Sequence, residues 1–299
     1  MIRLDNVTKK FDSFTAVNSV SLTVETGCIY GLVGSNGAGK STLLRLICGV
    51  YKADDGLITV DGKPVYENPE MKSDIVFVPD ELYFLPQASI RTMAKMYDAC
   101  YKNFDISRLK ELCNLFNLDI KKNLNTFSKG MKRQAATVLA LAARPKILLL
   151  DETFDGLDPV MRNLLKNILY DCVLKDRITV ILTSHSLREL EDTCDHLAVL
   201  HQGKVVEESE VTSLKTEMFK VQVALQGSFD KSCFENIEMT EYSQTGSVAS
   251  FIVSGDKEQV SSEISKLNPI LFEILPLSLE EVFVHDMNSL GYKFKSTEE

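Results

Sequence analysis

Cys28-Ile29-Tyr30-Gly31-Leu32-Val33, Gly34-Ser35-Asn36-Gly37-Ala38-Gly39-Lys40-Ser41-Thr42 and Leu43-Leu44-Arg45-Leu46-Ile47 follow one another without a break. They read as a buried strand, a glycine loop and a helix, with Gly49 as the stop. The loop fits G-x-x-x-x-G-K-[ST]. Its glycines let backbone N–H groups converge on phosphate oxygens, and the helix N-terminus adds the positive end of its dipole. In that chemistry Lys40 reaches the β- and γ-phosphates and Ser41 ligates Mg²⁺.

Upstream, Ile2, Leu4 and Val7 and then Val20, Leu22 and Val24 alternate with polar residues. That pattern predicts two antiparallel strands joined near Phe11-Asp12-Ser13. Phe11 is then an aromatic close to the phosphate loop, which either stacks on a nucleotide base or packs on the surface. Downstream, Leu57 to Val60 run into Asp61-Gly62 as a strand entering a hairpin, and Ile75 to Val78 form a buried strand halted by Pro79. Between residues 87 and 143 the apolar period becomes helical, with Leu109, Leu112, Cys113 and Phe116 on one face and Ala135, Val138, Leu139 and Ala142 on another. The last of these helices opens at Phe127-Ser128-Lys129-Gly130-Met131, where Ser128 reads as an N-cap and Gly130 lets an anion approach the backbone.

Ile147 to Leu150 form a further buried strand that ends in Asp151-Glu152. Paired carboxylates at the carboxyl end of a central parallel strand lie where open α/β sheets bind ligands, and they call for a cation. Asp151 fits a Mg²⁺ ligand acting through water, and Glu152 a base that polarises the attacking water. Gly156-Leu157-Asp158-Pro159 starts another helix, with Asp158 read as its N-cap. Thr179 to Leu182 then deliver Thr183-Ser184-His185 to the same edge. His185 is either a γ-phosphate sensor or a structural histidine. Ser186 to Glu189 match a capping box, and Leu197 to Leu200 with Gln202-Gly203 read as a closing hairpin.

The 299 residues, 44% hydrophobic and 25% charged, have the balance of a soluble globular protein, and the length favours two domains. No apolar run is long enough to span a bilayer and the N-terminus lacks a signal-peptide core, so a cytoplasmic location is expected. A net charge of -9 argues against a dedicated nucleic-acid surface. The seven cysteines, scattered singly with no C-x-x-C, predict buried reduced thiols. Near residue 215 the pattern changes. Val221, Val223 and Leu225 alternate, Val260, Ile264 and Leu267 keep helical spacing, Ile270 to Leu275 read as a strand, and Leu279, Val282 and Phe283 as a last helix. Only residues 243–247 and the tail from Lys295 look loose.

Taken in order, these motifs resemble the ATP-binding subunits of ABC transporters over residues 1 to about 210. The resemblance implies a P-loop NTPase sheet core with an antiparallel β subdomain and a helical insert over about 87–143, in a domain spanning 1–215. Residues 216–299 form a small C-terminal α/β domain. It implies Mg²⁺-dependent ATP hydrolysis, with Lys40, Glu152 and His185 catalytic and the loop from Gly34 to Thr42 on the phosphates. Phe11 would stack on the base. Ser128 and Gly130 would contact a γ-phosphate held by another subunit, and Asp158 would lie at the seam. The implied assembly is a head-to-tail dimer, of this chain or a close homologue, enclosing two ATP molecules and driving a membrane permease. Association with the membrane would be through that permease alone, at the cytoplasmic face.

The sequence departs from the family in two motifs. Phe127, Lys129 and Met131 replace the usual leucine, glycine and glutamine around Ser128 and Gly130. Asp80 stands where a glutamine is usual. A carboxylate beside a triphosphate must face Mg²⁺, pair with a basic side chain or point away, and the expectation here is contact with the metal through water. The stretch Leu277-Ser278-Leu279-Glu280-Glu281-Val282-Phe283 resembles the C-terminal extension of ATPases serving ABC-2 type exporters, which favours export. The rival readings are an ATP-gated regulatory dimer and a soluble ABC ATPase without a transport role.

Overall fold

The structure, a computed structural model, describes residues 1–211, 218–227, 229–278 and 280–282. They divide into two compact units, Met1–Glu208 and Ser209–Glu299. The division falls inside the strand Lys204–Glu210, earlier than residue 215, which itself lies outside the described residues.

The first unit carries two sheets. Strands β1 (Ile2–Phe11), β2 (Phe14–Val24), β4 (Asp55–Val60) and β5 (Lys63–Pro64) form an antiparallel sheet in the order β2-β1-β4-β5. Its inward residues, among them Ile2, Leu4, Val20, Leu22 and Val60, pack with Leu43, Leu44 and Ile47 of helix α1 (Lys40–Ile47). The second sheet takes β3 (Ile29–Val33), β6 (Ile75–Val78), β7 (Ile147–Leu150), β8 (Thr179–Ser184), β9 (His196–His201) and β10 (Lys204–Glu210) in the order β10-β9-β3-β8-β7-β6. The pairs β3/β8, β3/β9, β7/β8 and β6/β7 are parallel. Every residue of β3, β7 and β8 is buried, the continuous apolar run expected of a parallel sheet covered on both faces. The carboxyl ends of these three strands therefore bring Gly34, Asp151 and His185 to one edge.

Between β6 and β7 lies the helical insert: α3 (Ile90–Cys100), α4 (Ile106–Leu115) and α5 (Lys129–Ala142), following the short α2 (Pro69–Lys72). Each of the three long helices starts on a side-chain cap, from Ser89, Asp105 and Ser128 respectively. In α5 burial is continuous from Arg133 to Ala142, broader than the single stripe the apolar spacing predicts, so the insert is anchored through this helix. Helix α6 (Pro159–Asp176) follows β7, and α7 (Leu187–Glu191) follows β8. The capping box expected at Ser186 does not form, because Glu189 is drawn to the Ser184 hydroxyl, 2.7 Å away, and to Arg162 at 3.3 Å.

The second unit is a four-stranded antiparallel sheet, β12 (Met239–Thr245), β13 (Val248–Ser254), β11 (Met218–Ala224) and β14 (Leu271–Pro276) in that order, with helix α8 (Lys257–Ser265). Phe219, Val221 and Val223 meet Phe251, Val260 and Ile264 in its core. Residues 243–245, expected to be loose, belong to β12, a mostly exposed edge strand whose polar composition hides its pairing with β13. Leu279, Phe283 and the tail from Lys295 lie outside the described residues. Among those described, no helix is long and apolar enough to cross a membrane.

Five of the cysteines are buried, and only Cys100 and Cys233 are exposed. Burial pushes the Cys28 and Cys113 thiols up to about 11. A thiol reagent at pH 8 is expected to modify Cys100 and Cys233 in the native protein and the remaining five only after denaturation. Rapid native labelling of Cys28 or Cys113, located by peptide mapping, would contradict this packing.

Candidate functional site

The loop after β3 is shaped by contacts a side chain would destroy. A Cβ on Gly34 would lie 2.4 Å from the Leu200 carbonyl oxygen, and one on Gly39, whose φ is +107°, would lie 2.4 Å from that of Ala16. No side chain caps the N-terminus of α1, so its first N–H groups remain available to an anion. A cavity of about 210 Å³ opens over them, lined by residues 36–42 with Phe14, Ala16, Asp80 and Glu152. Asn36, Gly37, Ala38, Gly39, Lys40, Ser41 and Thr42 thus share one space. Gly34 and Ser35 sit beneath, their carbonyls accepting from Lys40 Nζ at 2.7 and 3.3 Å.

Lys40 is 6% exposed, and its ammonium also lies 3.2 Å from Glu152 Oε1. The other carboxylate oxygen, Oε2, is 3.0 Å from His185 Nδ1. Glu152 turns the chain in a left-handed conformation, φ +48°, directly after β7. Thr183 steadies that turn from the next strand: its hydroxyl donates to Asp151 Oδ1 at 2.7 Å and accepts from the Glu152 N–H at 2.9 Å. Asp151 is fully buried, and its second oxygen, Oδ2, has no hydrogen-bond partner among the described residues. A buried, unpartnered carboxylate oxygen fits a cation or a cation-bound water. Among the described residues no three His, Cys, Asp or Glu side chains converge as a cage. That suits a small divalent ion held by one or two protein oxygens and completed by phosphate and water.

Two expected ligands have partners within the chain. Phe11 is not part of the cavity wall; its ring meets Tyr51 edge-on at 5.4 Å with Lys9 over its face. Its cross-strand partner Phe14, 59% exposed, lines the cavity instead. The strand pairing that sets this choice has no local sequence signal. Asp80 reaches the cavity, but its Oδ1 forms an ion pair with Arg133 Nη2. Of the three arrangements open to Asp80, pairing with a basic side chain is the one seen, since a buried guanidinium holds the nearest carboxylate.

Ser128, Gly130 and Asp158 lie outside the cavity lining. Ser128 caps α5 by accepting from the Met131 N–H at 3.2 Å, and Asp158 caps α6 by accepting from the Val160 and Met161 N–H groups, both at 3.0 Å. A Cβ on Gly130 would lie 2.6 Å from the Gly156 carbonyl oxygen, so this glycine is required for close approach of two segments of one chain. Beside it Lys129 bonds Asp155 at 2.7 Å and, with Arg133 and His185 adding to the effect, holds that carboxyl below the usual range. Sequence reasoning passed over Arg133, Thr183 and Phe14. The available signals were a charge on the apolar side of α5, a hydroxyl two places before His185, and a second aromatic across the hairpin.

The ABC transporter family profile matches residues 17–155. YtrB, an ABC transporter ATP-binding protein of Bacillus subtilis, is 33% identical over 285 residues, covering 95% of this chain and 97% of its own. BcrA, the bacitracin transport ATP-binding protein of Bacillus licheniformis, is 31% identical over 219 residues, covering 72% of this chain and 71% of its own. The dimeric structure of the bacterial ABC transporter cassette MJ0796 shares the fold, with a TM-score of 0.65 and 23% identity over 71% of this chain and 99% of the cassette.

Thr183→Val keeps the shape of β8 but leaves Asp151 Oδ1 without a donor and the Glu152 N–H without an acceptor. Loss of about 1–3 kcal/mol of stability is expected for a buried group so stranded. Urea denaturation measures it; an unchanged midpoint would mean that the Thr183 hydroxyl does not hold this turn.

Proposed function

This chain belongs to the ATP-binding subunits of the ABC transporter family, and on that premise we propose how its residues divide the work of ATP hydrolysis. The reading rests on the row Lys40, Glu152 and His185, in which one carboxylate is held between the phosphate loop and the end of β8. Lys40 is paired with Glu152. A triphosphate entering the cavity offers the ammonium a stronger anion, and the carboxylate is then released to accept a proton from the water that attacks the γ-phosphorus. The bond to the β–γ bridging oxygen breaks as the new P–O bond forms, leaving ADP and phosphate. Lys40 and the N–H groups of residues 37–41 stabilise the charge that spreads over the phosphate oxygens. His185, 55% exposed and bonded to Glu152, orients the carboxylate and meets the γ-phosphate. Ser41 and Asp151 would hold Mg²⁺, which would supply neutralisation of the phosphate charge.

Ser128 and Gly130 lie at the start of α5, outside the cavity of their own chain. This supports a second copy, or a close homologue, that closes each site with its Ser128 and brings Asp158 to the seam. ATP binding then closes the dimer and hydrolysis reopens it. The partner driven by this cycle is an ABC-type membrane permease, and the chain works at the cytoplasmic face. The stretch Leu277 to Val282, which resembles the extension of ATPases serving ABC-2 type exporters, supports export over uptake. A regulatory dimer without turnover finds less support, because Asp80 is accounted for by Arg133 and the hydrolytic row is intact.

Glu152→Gln is expected to slow hydrolysis at least about 10²-fold. ATP affinity should be kept or improved, since Lys40 loses a competing anion. Light scattering should then find an ATP-dependent dimer. Turnover at the wild-type rate would remove Glu152 from the chemistry, and a monomer saturated with ATP would remove the shared site.

The aromatic contact to the base is assigned to Phe14 in place of Phe11. Phe14→Ala should weaken ATP by about 1–3 kcal/mol, the usual worth of stacking a base on an aromatic ring, and leave inorganic triphosphate unaffected. Phe11→Ala should do neither; titration calorimetry with both ligands separates the two residues, and a selective loss in Phe11→Ala would reverse the assignment.

A further inference from the structure

Arg133 is 2% exposed, yet it carries a charge into the edge of the sheet from helix α5. Its fork touches two segments that are far apart in sequence, one at Asp80 and one over residues 151–155. Nη2 pairs with Asp80, just after β6, and lies 3.5 Å from Asp155 Oδ2, just before α6. Nη1 donates to the Glu152 carbonyl and lies 3.5 Å from that of Asp151. The planar guanidinium is suited to this task, since its donors point in fixed directions toward two main-chain oxygens and two carboxylates at once. A lysine ammonium cannot reproduce the fork.

The Glu152 peptide is where these contacts matter. The residue is left-handed, its N–H is held by Thr183 and its C=O by Arg133. With both ends of the residue fixed, the carboxylate is aimed at Lys40 and His185. A backbone conformation of this kind persists only where its surroundings over-determine it. The buried guanidinium in turn needs a counter-charge. Asp155 is shared with Lys129 at 2.7 Å, so the nearer anion, Asp80, is the principal one.

We infer that Arg133 is a positioning residue for Glu152, and that Asp80 acts as its electrostatic partner, so that the segment after β6 and the hydrolytic carboxylate are held by a single guanidinium. This rests on Glu152 being the residue that activates water. In this arrangement Asp80 influences turnover without touching metal or nucleotide. A misplacement of the carboxylate on the scale of an ångström is enough to slow the chemical step by about 10²-fold.

The test uses the full chain and compares Asp80→Asn, Asp80→Glu, Arg133→Lys and the double variant Asp80→Asn/Arg133→Lys, with Glu152→Gln as reference. Asp80→Asn is expected to lower kcat by about tenfold or more, a fraction of the misplacement effect. KM, the Kd of a fluorescent ATP analogue and the Mg²⁺ concentration for half-maximal rate should stay unchanged. Asp80→Glu, which restores the charge, should recover most of the rate. The double variant should be no slower than the slower single variant, because both remove one interaction. Wild-type kcat in Asp80→Asn, multiplicative losses in the double variant, or a raised Mg²⁺ midpoint would each overturn the inference. Should Arg133→Lys fail to fold, the two Asp80 variants decide alone, since Asp80 is 45% exposed. A Glu152→Gln variant that still hydrolyses ATP overturns the role of Glu152 itself; an inactive Glu152→Gln beside a fully active Asp80→Asn overturns only the positioning role.

Discussion

Three charged side chains, Lys40, Arg133 and Asp151, are almost wholly removed from water at one edge of the parallel sheet. An isolated charge in such a place costs several kcal/mol, so each must be answered by a partner or a ligand. Lys40 is answered by Glu152 and two loop carbonyls, and Arg133 by Asp80, Asp155 and two main-chain oxygens. Asp151 is answered on one oxygen by Thr183 and on the other by nothing among the described residues. The site is therefore balanced for cations and incomplete for its most buried anion, which is the electrostatic condition for taking up a metal with a polyphosphate.

The same edge explains why the surrounding chain is so tightly specified. Glycines at 34 and 39 permit backbone-to-backbone contacts with Leu200 and Ala16, which tie the phosphate loop to β9 and β2. Gly130 permits a third such contact, with Gly156, so the start of α5 is fixed against the segment leading into α6. Packing of this kind tolerates little displacement. A change at any one of these segments is felt at Glu152, whose backbone is gripped from β8 and from α5.

Ser128 and Asp158 are helix caps in the chain and are proposed to act at a seam as well. Each is a helix cap within its own chain, with side-chain oxygens bonded to N–H groups of the first turn. Each also stands at the opening of a helix, where backbone donors and the dipole favour an anion or a close neighbour. The cap interpretation is complete for the isolated chain. The role at a seam depends on a second copy and is an assembly property that one chain does not contain.

The spacing of Gly34, Gly39, Lys40 and Ser41, the apolar runs of β3, β7 and β8, and the carboxylates that end β7 were legible because each rests on local rules: loop conformation, strand burial and the polarity of a sheet edge. Those rules placed the fold class and most of the cavity. They did not place Phe14 in the wall in preference to Phe11, join residues 243–245 to an edge strand, or withhold the capping box from Ser186. Nor did they show that Arg133 would turn inward to Asp80. Arg133 and Asp80 are remote in sequence, whereas Phe14, β13 and Ser184 are near neighbours of the residues they compete for; in each case the outcome is a competition among contacts that only the assembled chain can settle. The sequence by itself determined the phosphate loop, the strand ends and the acids they carry; the tertiary structure alone decided which charges neutralise one another, because a buried charge selects its partner by distance in space.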